Sequence, residues 1–296
     1  MDAALATAVS NAPQPNLRGD YSRAGADCVV EQRWGEYTAD EHAVWRRLYE
    51  RQMKLVPGYA CDEYRAGLAK LDAGDAIPRF DEASAKLRHA TRWELVAVPG
   101  LIPDLTFFAH LANRRFPVTD WLRTPAEFDY IVEPDVFHDF FGHVPLLLDP
   151  VYADYMEAYG KGGLKAARLG SLKYLARLYW YTVEFGLMTT PQGLRIYGAG
   201  ILSSGGEVVH SIESSQPRRV KFDLERLLRT EYNIDRYQDT YFVIESFARL
   251  IADTAPDFTP VYERVSTLPS FATDQAAPGD FLLPATAVWP TAPQRV

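Results

Sequence analysis

The chain has 296 residues, of which 47% are hydrophobic, 24% charged and 13% aromatic, a globular composition rather than a disordered one. A formal net charge of −8 and a pI near 5.3 leave no basic footprint for nucleic acid or an anionic membrane. The opening MDAALATAVSNAPQPN is no secretory leader, no window reaches the ~18 uninterrupted apolar residues of a spanning helix, and Cys28 and Cys61 lie in no paired motif, so the expectation is a cytoplasmic protein with reduced thiols and no membrane partner.

Residues 1–35, rich in Ala, Asn, Pro and Gly, read as a loose lead-in. Thr38-Ala-Asp-Glu41 is a capping box, and Val44, Trp45, Leu48 and Tyr49 follow on one helical face. A short helix is expected over 81–89. Residues 93–98 read as a strand ending in Pro99-Gly100. A helix capped by Asp104 follows Pro103. Gly160-Lys-Gly-Gly163 lacks the frame of a phosphate-binding loop and reads as a turn. Leu172, Leu175, Ala176, Tyr179, Val183 and Leu187, at three- and four-residue steps, predict one long helix over 172–187. Strands are expected over 194–197 and over the alternating 207–212, and helices over 223–230 and 241–255. From 269 to 296 the chain is rich in Pro and Ala and reads as a tail that wraps the domain. With no internal repeat and no linker in the middle, the expectation is one domain over 36–268, mainly α with small β elements, and no doubly wound sheet.

The segment Glu133-Pro134-Asp135-Val136-Phe137-His138-Asp139-Phe140-Phe141-Gly142-His143-Val144-Pro145 carries the chemistry. Two of the six histidines lie five apart, which on a continuous α-helix turns the second ~140° from the first. Gly142 permits a left-handed cap and Pro145 cannot continue a helix. His143 is therefore expected to swing back towards His138. Glu184 lies in the aromatic run Leu178-Tyr179-Trp180-Tyr181-Thr182-Val183-Glu184-Phe185-Gly186-Leu187. A carboxylate buried there needs a cation or stays protonated. Two imidazoles and one carboxylate on one face of a metal form the set used by non-haem iron(II) oxygenases. On spacing alone a His pair near a helix end is more often a cap or core pair, and Glu184 could instead pair with Arg177 or Arg195.

The same motifs resemble the pterin-dependent aromatic amino acid hydroxylases, in particular the bacterial branch that acts on phenylalanine. The resemblance rests on the Glu133–Pro145 and Tyr179–Leu187 runs, on Tyr197-Gly-Ala-Gly-Ile-Leu-Ser203-Ser204, on Val98-Pro-Gly-Leu-Ile-Pro103 and on His110-Leu-Ala-Asn-Arg-Arg-Phe-Pro-Val-Thr119. It covers roughly residues 35 to 265.

That resemblance implies a mainly helical catalytic domain with iron in a basin. His138, His143 and Glu184 match the family's iron ligands. Arg123 and Ser203 match the groups around the substrate carboxylate, Gly200 lines that pocket, and Pro134 and Trp180 hold the substrate's ring. Gly100, Leu101 and Ile102 supply backbone to the pterin, Phe107 its stacking face, and Asp139, Ala176 and Tyr179 nearby contacts. The cofactors implied are Fe(II) and a tetrahydropterin, with O2 as co-substrate; the bacterial match favours L-phenylalanine as the amino acid, with tryptophan or tyrosine as the alternatives within the family. Animal members carry Glu where Asp139 stands and a His where Pro117 stands. The regulatory domain and C-terminal heptad helix of those members are not in this sequence, which implies a monomer. Alternatives from other classes are an HD-type metal phosphohydrolase built on His138-Asp139 with His110, and a non-enzymatic aromatic amino acid sensor.

Overall fold

Capping chemistry sets where the helices begin. In the computed structural model, which describes residues 17–284, α1 (Ala39–Met53) starts at the complete Thr38/Glu41 capping box. Its Val44, Trp45 and Leu48 are buried. After a single helical turn at Val56–Tyr59, α2 (Asp62–Leu71) and α3 (Phe80–Thr91) follow. Strand β1 (Glu94–Val98) pairs in parallel with β2 (Arg115–Thr119) across α4 (Asp104–Ala112). Asp104 does not cap α4: it is the first helical residue, and Pro103 holds the cap position without a side-chain hydrogen bond.

The longest helix, α5 (Pro150–Arg168), is capped by Asp149, which accepts from Tyr152 N, and has Pro150 in its first turn. Gly160 and Gly163 lie inside it, not in a turn. A Cβ at Gly160 would come within 2.4 Å of Ala112 N, and one at Gly163 within 2.1 Å of the Phe108 ring. These glycines therefore let α4 lie directly on α5. Here close packing, not chain reversal, uses the missing side chain.

The long helix expected over 172–187 is two structures. It is α-helical as α6 (Leu172–Tyr179) and then widens into a π-helical turn, Trp180–Glu184. Gly186 follows, and its missing Cβ makes room for the Tyr197 ring and Thr182 O. Leu187 already belongs to β3 (Leu187–Thr190), which runs antiparallel to β4 (Gly193–Ile196). Next come α7 (Ala199–Ser203) and α8 (Gly205–Glu213). Residues 207–212, expected as a strand, lie in α8. Ser204 caps it by accepting from Glu207 N, and Val208 and Ser211 are buried one turn apart, so cap and tertiary burial override the β preference of Val208-Val209.

Strand β5 (Arg218–Lys221) and helix α9 (Leu224–Leu228), capped by Asp223, lead to β6 (Thr240–Ile244). The helix expected over 241–255 begins only after Ser246, as α10 (Phe247–Thr254). Every residue of β6 is buried, and a short, mostly apolar run cannot be told from buried helix by period alone. The second sheet has the order β4-β3-β6-β5. Helix α11 (Thr259–Ser266) closes the helical set.

The flanking segments make specific contacts. Val30 bridges to Ala97, Val220 to Leu282 and Thr230 to Phe271, and Asp280 forms a buried ion pair with Arg226. Residues 1–16 and 285–296 of the expected lead-in and tail lie outside the described residues.

Candidate metal centre

The segment bearing the two histidines is anchored from behind by aromatic packing. Phe137, Phe140 and Phe141 are fully buried. Phe137 meets Trp45 edge-on at 5.3 Å and stacks on Phe141 at 4.9 Å. The backbone over Phe137–His143 is a π-helix. Its hydrogen bonds run from i to i+5, so residues five apart fall on one face. This wide turn, not a left-handed Gly142, brings His143 beside His138. Gly142 has no positive φ, and a Cβ there would sit 2.9 Å from Ala199 O, so the glycine admits α7. Glu184 ends the second π-helical turn.

His143 Nε2 lies 3.3 Å from His138 Nε2 and 3.1 Å from Glu184 Oε1, and His138 Nε2 lies 3.6 Å from Glu184 Oε2. Among the described residues this is the one group of three or more such side chains placed to hold a metal ion. A first-row divalent ion with bonds of ~2.1 Å sets neighbouring ligand atoms about 3 Å apart, so the donor set fits one. Arg177 pairs with Glu231, and Arg195 donates to Leu194 O; neither reaches Glu184.

Hydrogen bonding sets the protonation of the triad. Ser203 Oγ donates to Ala199 O at 2.9 Å. Its single proton is thereby used, so at its 2.9 Å contact with His138 Nδ1 it accepts. His138 therefore carries Nδ1–H and turns the Nε2 lone pair to the basin. Burial holds the His138 imidazole below its ordinary pKa. Burial alone would push the Glu184 carboxyl up, but the facing His143 and His138 outweigh it and hold it below its usual range. Neutral imidazole beside carboxylate is the state a metal requires. Gly200 leaves room for that carboxylate, since a Cβ there would lie 3.1 Å from Glu184 Oε2.

Arg123 is buried and held by Asp135, whose carboxylate accepts from Arg123 N, Nε and Nη2 at 2.8–2.9 Å. Nη1 stays outside that pair. Asp135 also accepts from His138 N at 3.0 Å, capping the π-helical turn while it fixes the guanidinium. The sequence reading passed over Asp135. Its signal was an acidic residue three positions before His138, the spacing of a helix cap. Pro134 immediately precedes it, and Trp180 opens the other π-helical turn.

Gly100 has φ +144°, and a Cβ there would lie 2.9 Å from Tyr21 OH. That hydroxyl donates to Leu101 O at 3.0 Å, a contact the sequence did not suggest, and Ile102 follows. Phe107 meets Tyr179 edge-on at 5.8 Å, and Tyr179 stacks against His143 at 6.2 Å. Ala176 lies one turn before Tyr179 on α6. Asp139 Oδ2 accepts from Thr119 N at 2.8 Å, so this carboxylate ties β2 to the π-helical turn.

The phosphohydrolase arrangement is not assembled. His110 Nε2 is bound to Asp27 O at 2.8 Å and takes no part in the cluster.

The model of the "Biopterin-dependent aromatic amino acid hydroxylase" family matches residues 32–264. The chain is 53% identical to a phenylalanine-4-hydroxylase of Ralstonia nicotianae over 95% of each chain. It is similar to a solved structure of the Chromobacterium violaceum phenylalanine hydroxylase with iron and phenylalanine bound, with TM-score 0.85, 55% identity, 90% of this chain and 97% of that one. A second structure of that enzyme, holding iron(III) and 7,8-dihydrobiopterin, matches with TM-score 0.85 and 55% identity, over 88% of this chain and 94% of that one. With this agreement over fold and sequence, the chain belongs to the biopterin-dependent aromatic amino acid hydroxylases.

Proposed function

We propose that this protein is a phenylalanine 4-monooxygenase, converting L-phenylalanine to L-tyrosine with O2 and a tetrahydropterin at an iron(II) held by His138, His143 and Glu184. The observation that carries the reading is the convergence of three metal-binding atoms, with the lone pair of His138 Nε2 turned to the basin by Ser203. The relatives named for phenylalanine support the choice of substrate.

Bound iron and reduced pterin together supply oxygen activation and the two electrons that reduce the second oxygen atom. The chain supplies position and a dry site. Arg123, fixed by Asp135, offers Nη1 to the substrate carboxylate. Trp180 and Pro134 flank its ring. Gly100, Leu101 and Ile102 give the pterin a close backbone approach, and Phe107 its face, with Ala176, Tyr179 and Asp139 around it. His138, His143 and Glu184 would hold the iron from one side of the site. Holding the reactants together lowers the barrier.

The test reconstitutes the protein with iron(II), adds a tetrahydropterin and compares products from phenylalanine, tyrosine and tryptophan. Tyrosine formed fastest from phenylalanine is the expected result; no hydroxylated product from any of the three overturns the reading. The protein is further proposed to act as a monomer in the cytoplasm. Both cysteines are free thiols, which suits a reducing compartment. Among the described residues no helix is long and apolar enough to cross a membrane. Sedimentation analysis checks the monomer.

A further inference from the structure

Away from the metal, a buried amide holds the indole of Trp180. Gln238 is only 2% exposed, and its Oε1 accepts from Trp180 Nε1 at 3.0 Å. Its Nε2 donates to Asn233 O at 2.8 Å and, more distantly, to Arg236 O at 3.4 Å. An indole nitrogen only donates and a backbone carbonyl only accepts. The amide therefore has one orientation that satisfies both. The backbone of Gln238 is itself fixed, since its N donates to Glu207 Oε1 at 3.1 Å, and Tyr241 OH donates to the same oxygen at 2.8 Å. Glu207 lies in α8, which starts just after Ser203.

The two rings beside Trp180 cannot do this job. Tyr232 stacks on the indole at 4.5 Å and 21°, and Phe185 lies at 4.7 Å and 36°. Stacked faces resist tilting but tolerate sliding and in-plane rotation, because the attraction varies slowly along the ring plane. A directional N–H···O bond to a buried acceptor removes that freedom. The same amide also holds Asn233 O, next to Tyr232, so one side chain fixes the indole and the backbone that carries its stacking partner.

We infer that Gln238 is a positioning residue for substrate: through Trp180 it sets the wall against which the amino acid's aromatic ring lies. The inference rests on the reading that Trp180 meets that ring. It explains why an amide occupies this place. Glutamate would accept from the indole but set a second oxygen against Asn233 O, and methionine would do neither.

The test is a double-mutant cycle on the iron(II)-loaded protein, read by calorimetric binding of phenylalanine and by tryptophan emission. Gln238→Met weakens phenylalanine binding about fivefold, the scale of one lost net hydrogen bond. It also shifts the Trp180 emission, defined as the difference between the parent and Trp180→Phe. In the Trp180→Phe background, Gln238→Met leaves both phenylalanine binding and the remaining tryptophan emission unchanged. A fivefold loss that persists in that background overturns the inference alone. Unchanged phenylalanine binding in Trp180→Phe overturns the placement of Trp180 itself. Gln238→Glu is the second variant. It keeps the indole acceptor but loses the donor to Asn233 O, so its affinity is expected to fall between that of the parent and that of Gln238→Met; an affinity at or below that of Gln238→Met shows that the indole bond is not the cause and sinks the idea.

Discussion

Ser203 Oγ and His138 Nδ1 lie 2.9 Å apart, and the serine proton is already given to Ala199 O. The contact therefore selects one tautomer of His138. In Ser203→Ala the imidazole loses that selection and its Nδ1–H loses its acceptor. Partners of this kind typically contribute 10- to 100-fold in metal affinity. Ser203→Ala is expected to weaken iron(II) by about 10-fold or more while leaving the far-ultraviolet circular dichroism unchanged. Chelator competition measures it; an unchanged iron affinity counts against the tautomer argument.

Glu184 is the acidic member of the triad, and removing its charge leaves two neutral imidazoles. A ligand that binds only the folded state raises its stability by mass action. Iron(II) in excess should thus raise the thermal midpoint of the parent protein. In Glu184→Ala that shift is expected to disappear together with hydroxylation, while the metal-free protein unfolds much like the parent. Differential scanning calorimetry with and without iron(II) reads both. Full activity of the variant with added iron(II) rules out the triad.

The fold was legible where local chemistry decides it. Thr38 with Glu41, and Asp223, mark helix starts that the structure keeps. Legibility failed where tertiary burial decides. Thr240–Ile244 is a fully buried strand that periodicity alone does not separate from a buried helix, although its β-branched and aromatic residues favour a strand, and 207–212 alternates like a strand yet is held in α8 by Ser204. At the site, residue types singled out His138, His143 and Glu184, but their five-residue step was assigned to a glycine break. No sequence period announces a π-helical turn, so the actual device was hidden. Asp135 was overlooked because a capping residue and an arginine partner look alike in sequence.

Gly163 faces the Phe108 ring, and a Cβ there would lie only 2.1 Å from it. Gly163→Ala forces α4 away from α5 or bends Phe108 out of place. Overpacking of this kind costs about 1–3 kcal/mol, more than a helical alanine returns. The thermal midpoint is expected to fall. Because Phe107 sits beside Phe108 on α4, pterin KM is expected to rise while iron affinity stays at the parent value. A midpoint equal to or above the parent's removes the close-packing explanation.

Glu207 couples stability to pH. Burial pushes its carboxyl from 4.5 up to about 7, although Tyr241 and Gln238 donate to it. Its folded pKa thus lies above its unfolded one. The folded protein holds a proton that the unfolded chain has released between these two values. The stability this group contributes is complete below about pH 4.5 and falls as pH rises through about 7, by at most about 3 kcal/mol. Glu207→Gln keeps an oxygen to accept from Tyr241 and from Gln238 N but carries no proton to lose. It is therefore expected to match the parent near pH 4.5 and to exceed it above pH 7. Chemical denaturation at a series of pH values checks this, and a variant whose advantage does not grow with pH contradicts the assignment.

Arg123 and Asp135 form an ion pair buried on both sides, 4% and 0% exposed. Asp135→Ala leaves the guanidinium without its carboxylate, takes the cap from His138 N and opens a small void. Breaking one member of a buried pair typically costs about 3–5 kcal/mol. Asp135→Asn keeps an acceptor for His138 N and for one Arg123 nitrogen, so it is expected to lose less stability than Asp135→Ala. It still frees the guanidinium to turn, so phenylalanine KM is expected to rise even where the fold survives. The pair is assigned to substrate positioning as well as stability. Steady-state kinetics on Asp135→Asn decides between these roles, because a purely structural residue would lower the thermal midpoint and leave phenylalanine KM where it was.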